Sequence, residues 1–190
     1  SNTKKAIQKK IQYCDFLGFQ HAFEIHKEKE FSMGICRNSK GAALVTCITE
    51  MPQVTPKMID WWFGWHMPET ERYKLWHPRD HISSKLRVDT SGFQTDKEKY
   101  IHVDSYVTEY IGKELNDLCI SFVKPEDFGF HKLDSDKETA VCAHVKDLRK
   151  NVSIGSLTHL VTKTSEGSVM QSSFWLGMNP QHSNSFVNAI

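Results

Sequence analysis

The sequence predicts one α+β domain built on a mostly antiparallel sheet, and three observations carry that prediction. The second half of the chain is a series of β-branched and aromatic-rich segments separated by turn residues. Helical signals are short and confined to the first half. No internal repeat, low-complexity stretch or Gly/Ser linker divides the 190 residues, a length that supports one compact core.

The elements follow in order. Residues 4–16 carry Ile7, Ile11 and Cys14 with lysines between them, the pattern of a short amphipathic helix. Residues 42–49 are rich in Val, Ile and Thr and read as a strand. Thr55-Pro56 is a helix start, with Thr55 as N-cap and Pro56 at the first helical position, and the helix would carry Met58, Ile59, Trp61, Trp62 and Phe63 toward Trp65. Residues 69–85 are polar and histidine-rich, with no element assigned. Residues 100–111 alternate as a strand that Gly112 would end. Residues 118–123, 139–145, 155–164 and 168–176 read as further strands, and Ser165-Glu166-Gly167 makes the last two a hairpin. After Trp175 the chain is rich in Asn, Ser and Pro and shows no long amphipathic helix. A sheet with one face to cover needs such a helix, a partner chain or a loop.

Composition excludes several classes. Hydrophobic residues are 39% and charged residues 25%, which fits neither a disordered nor a membrane-embedded chain. No apolar run is long enough to span a bilayer, and the start, from Ser1 to Lys5, lacks the apolar stretch of a signal peptide. A net charge of +1 offers no field for nucleic acid or an anionic membrane. The five cysteines are odd in number, dispersed and free of CxxC spacing, so the expectation is buried thiols in a reducing cytoplasm and no disulfide framework. There is no Gly-x-Ser-x-Gly elbow, Walker loop or dinucleotide fingerprint.

The densest chemistry lies between Met58 and His81. Four of the five tryptophans (Trp61, Trp62, Trp65, Trp76) and three of the ten histidines (His66, His77, His81) fall there. Aromatic walls bury flat ligands, and imidazoles beside them supply polar contacts or metal ligation. An aromatic mini-core with surface histidines fits the same residues. His77 and His81 would share a helix face, although Pro78 opposes a helix through both. Counting by twos puts Glu109 on the face of Val103, Ser105 and Val107; it is a candidate buried carboxylate or an exposed strand end. His159 shares a strand face with Leu157 and Val161, as a catalyst or a hydrogen-bonded core residue. His144 carries the same ambiguity.

The run Met58-Ile-Asp-Trp-Trp-Phe-Gly-Trp-His66, then Arg72-Tyr-Lys-Leu-Trp-His-Pro-Arg-Asp-His81, resembles the signature of the 2,4-diacetylphloroglucinol hydrolase family, which includes phloretin hydrolases. Glu109-Tyr-Ile-Gly112, Leu157-Thr-His159 and Ser172-Ser-Phe-Trp-Leu-Gly177 follow in that family's order, so the similarity runs from about Ala43 to Gly177. The resemblance implies a helix-grip fold of the Bet v 1/START-like type, in which a curved antiparallel sheet wraps a C-terminal helix. It implies a zinc-dependent hydrolase that cleaves the bond between an acyl group and a phloroglucinol-type ring. His81, with His77 as fallback, and Glu109 are the implied zinc ligands. His159 stands near the acyl carbonyl, Tyr73 is implied in catalysis and substrate binding, and Trp76, Ser84 and Phe174 are implied substrate contacts.

Three departures stand out. The family's second ligand pair, His-x-x-x-Glu, has no counterpart after Trp175, where His182 is followed by Phe186. Phe174 replaces a tyrosine and Ser84 an asparagine. The expectation is therefore a single domain over residues 1–190, incomplete at its C-terminus, with the C-terminal helix missing. Its expected partner is a small phenolic ketone, with neither nucleic acid nor membrane, and a homo-oligomer is left open. The competing expectation is a helix-grip module that binds a flat hydrophobic or phenolic ligand without catalysis.

Overall fold

The computed structural model describes residues 12–28 and 31–178. Nine strands form one sheet: β1 (Gln12–Tyr13), β2 (Gly34–Arg37), β3 (Ala43–Pro52), β4 (His81–Leu86), β5 (Asp104–Ile111), β6 (Glu114–Val123), β7 (Glu138–Asp147), β8 (Val152–Lys163) and β9 (Gly167–Leu176). Two α-helices, α1 (Pro56–His66) and α2 (Thr70–Trp76), lie between β3 and β4. The strand order is β1-β2-β3-β9-β8-β7-β6-β5-β4, and every pairing is antiparallel except the short β1–β2 contact.

The sheet is curved. β3 and β5 stand five strands apart, which would separate them by ~24 Å if the sheet were flat. Yet Val45 on β3 and Glu109 and Ile111 on β5 line one cavity of about 250 Å³. A curved antiparallel sheet with α1 and α2 inserted before its fourth strand gives the helix-grip arrangement expected from the sequence. Residues 179–190, on which the reading of a missing C-terminal helix rests, lie outside the described residues, as do residues 4–11 of the helix expected over 4–16; Gln12–Tyr13 is a strand.

Both faces of the central strands are covered, which is why residues 138–143 of β7 are buried without a break. Val141 and Ala143 point to the concave face and pack with Ile59, Phe63 and Met67 of α1 and its end, together with Tyr100, Phe122 and Val161. Ala140 and Cys142 point the other way and pack with Leu160, Trp175, Phe128 and Phe130. Phe16, Phe19 and Phe23 complete that outer layer, and the Trp175 indole donates to the Leu17 carbonyl at 2.8 Å. The alternation follows from the two-residue period of a strand.

α1 forms for the reasons the sequence offers. The Thr55 hydroxyl accepts from the Met58 amide at 3.2 Å, Pro56 occupies the first turn, and Ile59, Phe63 and His66 make one buried stripe. Asp60 is buried on α1 and accepts from the Tyr100 hydroxyl at 2.7 Å and the Thr139 hydroxyl at 2.8 Å, tying the helix to β7. α2 is short and held from the side. The Thr70 hydroxyl donates to the Ser84 carbonyl at 3.2 Å and accepts from its amide at 3.1 Å, which closes the free edge of β4.

The cysteine expectation needs correction. Cys14 and Cys36 are joined as a disulfide with Cα atoms 5.7 Å apart, because β1 pairs beside β2 and brings them together. Their 22-residue separation carries no local signal of that pairing. Cys47, Cys119 and Cys142 are free thiols.

Gly155 marks a close approach between β8 and β9. A Cβ there would sit 2.2 Å from the Trp175 carbonyl oxygen. Gly155→Ala is expected to lower stability by about 1–3 kcal/mol through overpacking, read as a lower urea midpoint at unchanged slope.

Candidate functional site

The site is built where β4 meets β5. His81 opens β4 and pairs directly with Glu109 near the end of β5. Residues opposite each other in an antiparallel pair project to the same face. Their side chains therefore converge although 28 positions separate them in sequence, with His81 Nε2 4.0 Å from Glu109 Oε2. Each is about one-fifth exposed, so both are reachable from a cavity but largely shielded from bulk water.

The tautomer of His81 follows from its partner. Its Nδ1 lies 3.0 Å from the Tyr73 carbonyl oxygen, which only accepts. Nδ1–H therefore donates, which leaves Nε2 as the ring atom directed toward Glu109. The Tyr73 ring stacks on His81 with centroids 3.9 Å apart and planes 2° apart. Its hydroxyl donates to Glu109 Oε2, the same oxygen that faces His81. Burial, then the neighbouring Glu109 charge, pushes the Tyr73 phenol well above its ordinary pKa, so it stays protonated and keeps donating. His66 and Trp62 extend the stack behind Tyr73, with ring planes 13° and 22° from their neighbours. His66 Nδ1 donates to the Trp62 carbonyl at 2.7 Å, and burial lowers its pKa to about 4.

A cavity of about 330 Å³ opens in front of this pair, lined by Phe63, His66, Tyr73, Trp76, His81, Glu109, His159 and Phe174 among others. His159 comes from β8, pairs across to Ser172 on β9, and its Nδ1 lies 2.7 Å from the Ser172 hydroxyl. Burial lowers its pKa to about 4, so the ring is neutral at pH 7. Phe63 covers its face and Phe174 packs edge-on against it. The cavity adjoins the apolar one of about 250 Å³, sharing Glu109, Ile120, Leu157 and Phe174 with it.

The structure thus brings Tyr73, Trp76, His81, Glu109, His159 and Phe174 around one space. Ser84 is the exception. Its hydroxyl donates to the Met67 carbonyl at 2.7 Å and lies 3.4 Å from the Ser105 hydroxyl, and it does not line the cavity. It fastens the α1–α2 connection to the sheet, whereas the resemblance implied a substrate contact for it. His77, the fallback ligand, pairs with Asp80 at 3.2 Å and stands half-exposed at the cavity rim. Trp61 and Trp62 do not line the cavity: Trp61 stacks on Trp65 at the surface, and Trp62 backs the ring stack.

Sequence reasoning named His66 only as one of a histidine-rich stretch and gave neither it nor Ser172 a role of its own. His66 was detectable, because Ile59, Phe63 and His66 recur at helical spacing on the buried face of α1. Ser172 carried no signal, since its role depends on which residue sits opposite it.

Among the described residues, no three His, Cys, Asp or Glu side chains converge as a metal-holding group, and no helix is long and apolar enough to cross a membrane. His81 Nε2 and Glu109 Oε2 still suit a divalent ion. Their 4.0 Å gap is too long for a hydrogen bond. Two donors of a tetrahedral ion stand about 3.3 Å apart, so a side-chain shift of less than ~1 Å would let this pair share one.

The chain is 33% identical over 159 residues to phloretin hydrolase of Eubacterium ramulus, covering 79% of this chain and 56% of that protein. It is 29% identical over 141 residues to 2,4-diacetylphloroglucinol hydrolase of Pseudomonas protegens, covering 68% of this chain and 44% of that protein. The chain spans about half the length of these relatives. Among solved structures it is similar to ginseng major latex-like protein 151 of Panax ginseng, at 12% identity and a TM-score of 0.46, covering 77% of this chain and 87% of that one. It is also similar to Ara h 8.0201, at 9% identity and a TM-score of 0.44, covering 76% and 85%. Residues 18–189 match the family described as the DAPG hydrolase PhiG domain. The chain belongs to that family.

Proposed function

We propose that this chain hydrolyses the carbon–carbon bond between an acyl group and a phloroglucinol-type phenolic ring. The observation that carries the reading is the meeting of His81, Glu109, Tyr73 and His159 around one aromatic-walled cavity, in a chain whose relatives are named phloretin hydrolase and 2,4-diacetylphloroglucinol hydrolase.

His81 Nε2 and Glu109 would hold a zinc ion. When bound, zinc supplies Lewis acidity and eases the deprotonation of water. The chain's own residues do the remaining work. The Tyr73 hydroxyl donates to Glu109 and fixes its orientation, while its oxygen can accept from a phenolic O–H of the substrate. Trp76 and Phe174 wall the ring, and His159 faces the acyl carbonyl. The ring reacts in its keto tautomer, in which a phenolic proton has moved to the acyl-bearing ring carbon and made it tetrahedral. Water adds to the acyl carbonyl, a C–O bond forms, and the C–C bond to the ring breaks. Its electron pair enters the ring as an enolate on the flanking oxygen, which takes the proton that water gives up, leaving the phenol and a carboxylic acid.

The reading is tested by incubating the protein, with zinc supplied, with phloretin and with diacetylphloroglucinol and following acid release. Acid and free phenol in equal amounts are the expected result. Saturable binding of both compounds without acid would instead make the chain a binding module for flat phenols. Tyr73→Phe is expected to keep the stack but loosen the carboxylate. Zinc affinity should fall about 10–100-fold, as for other lost supporting hydrogen bonds to a ligand. A zinc titration giving unchanged affinity would remove Tyr73 from that role.

A further inference from the structure

We propose that Ser172 is a positioning residue that holds His159 in the form protonated on Nε2, so that His159 meets the acyl oxygen as a hydrogen-bond donor and not as a general base. The proposal rests on the hydrolytic reading of the site. Its structural half stands on Ser172 and His159 alone.

Ser172 is 3% exposed, and its hydroxyl lies 2.7 Å from His159 Nδ1. A hydroxyl has one proton to place. Among the described residues, the Ser172 hydroxyl has no hydrogen-bond partner besides that ring nitrogen. If the ring donated to the serine, the serine proton would be buried without an acceptor, the costly arrangement for a buried polar group. The serine therefore donates, Nδ1 accepts, and the ring proton sits on Nε2. Phe63 over the ring at 6.2 Å and Phe174 against its edge at 5.8 Å hold the orientation. An imidazole kept neutral by burial is a weak base but a ready-made donor for charge that develops on oxygen.

The same cross-strand motif recurs on the other face of the sheet. There His144 Nδ1 lies 2.8 Å from the Ser156 hydroxyl, and Phe19 and Phe128 pack against the His144 ring. The pairing by itself is a way of seating a histidine on a strand. What distinguishes His159 is that its ring lines the cavity shared with His81 and Glu109.

The test uses the whole chain labelled with 15N-histidine. The His159 signals should report Nε2 protonated and Nδ1 bare. Ser172→Ala should show both tautomers, and Ser172→Thr, which restores the hydroxyl, should recover one. In turnover of an acylphloroglucinol with zinc supplied, Ser172→Ala should lower kcat about 10-fold with KM within about twofold, and threonine should restore it. His159→Gln places an N–H near the position of Nε2 but offers no base. It should keep about a tenth of the activity, where His159→Ala loses about 100–1000-fold. A wild-type ring protonated on Nδ1, or a glutamine variant as inactive as alanine, overturns the proposal. If the wild type releases no acid, the hydrolytic reading fails together with the donor role, and the tautomer still decides whether Ser172 sets the ring.

Discussion

His81→Ala and Glu109→Ala are each expected to abolish both zinc binding and turnover. The two side chains are the pair that β4–β5 register sets face to face in the cavity, whereas His77 faces Asp80 at the rim. Removing one donor of a two-donor set leaves a lone imidazole or carboxylate, which holds zinc weakly. A loss of about 10³-fold or more in kcat/KM is expected, equivalent to roughly 4 kcal/mol of transition-state stabilisation. Bound metal should fall from about one ion per chain toward zero by elemental analysis. His77→Ala serves as the control and should keep both properties. Full activity in both ligand variants would overturn the assignment of the site.

Acid should destabilise the protein well before its carboxylates titrate. Burial lowers the pKa of His26 to about 3 and those of His66 and His159 to about 4, while each titrates near 6.5 in the unfolded chain. The sign is set by which state takes the proton. Below pH 6.5 the unfolded chain binds protons that the folded protein refuses, so stability is complete above that pH and is lost as the pH falls toward about 4. Each group contributes up to about 1.4 kcal/mol per pH unit, and the three together up to about 4. Set against a typical total of about 5–15 kcal/mol, that is a large fraction within one or two pH units. Urea unfolding at pH 7, 6 and 5 should show a midpoint that drops steeply. A midpoint unchanged from pH 7 to pH 5 would show that these histidines are not held neutral. His26→Gln should flatten the dependence by about a third, since His26 is buried at 4% exposure and hydrogen-bonded through Nε2 to Ser173, away from the cavity.

Much of the fold was legible because the central strands obey the two-residue alternation. The strands read at 118–123, 139–145, 155–164 and 168–176 match β6 to β9 within a few residues, and the α1 start at Thr55-Pro56 is where the sequence places it. The histidine-rich stretch 69–85 resisted reading. It holds α2 and β4, and neither has strong periodicity of its own. α2 is seven residues long, and β4 is an edge strand held by Thr70 and by its pairing with β5. Tertiary contacts stabilise both elements, so local sequence could not announce them. β1 and the Cys14–Cys36 link were missed for the same reason.

The sequence by itself determined the class of fold, the buried stripe of α1, the face on which Glu109 sits and the family to which the residues point. Only the tertiary structure decided which histidine meets Glu109, that the Tyr73 hydroxyl is engaged with that carboxylate, that Ser84 fastens a connection away from the cavity, and that Ser172 seats His159. Alternation and capping are written in neighbouring residues, because they follow from the repeat of a helix or a strand. Which side chain lies across from which is set by strand register, and register emerges only when the whole sheet has closed around its core.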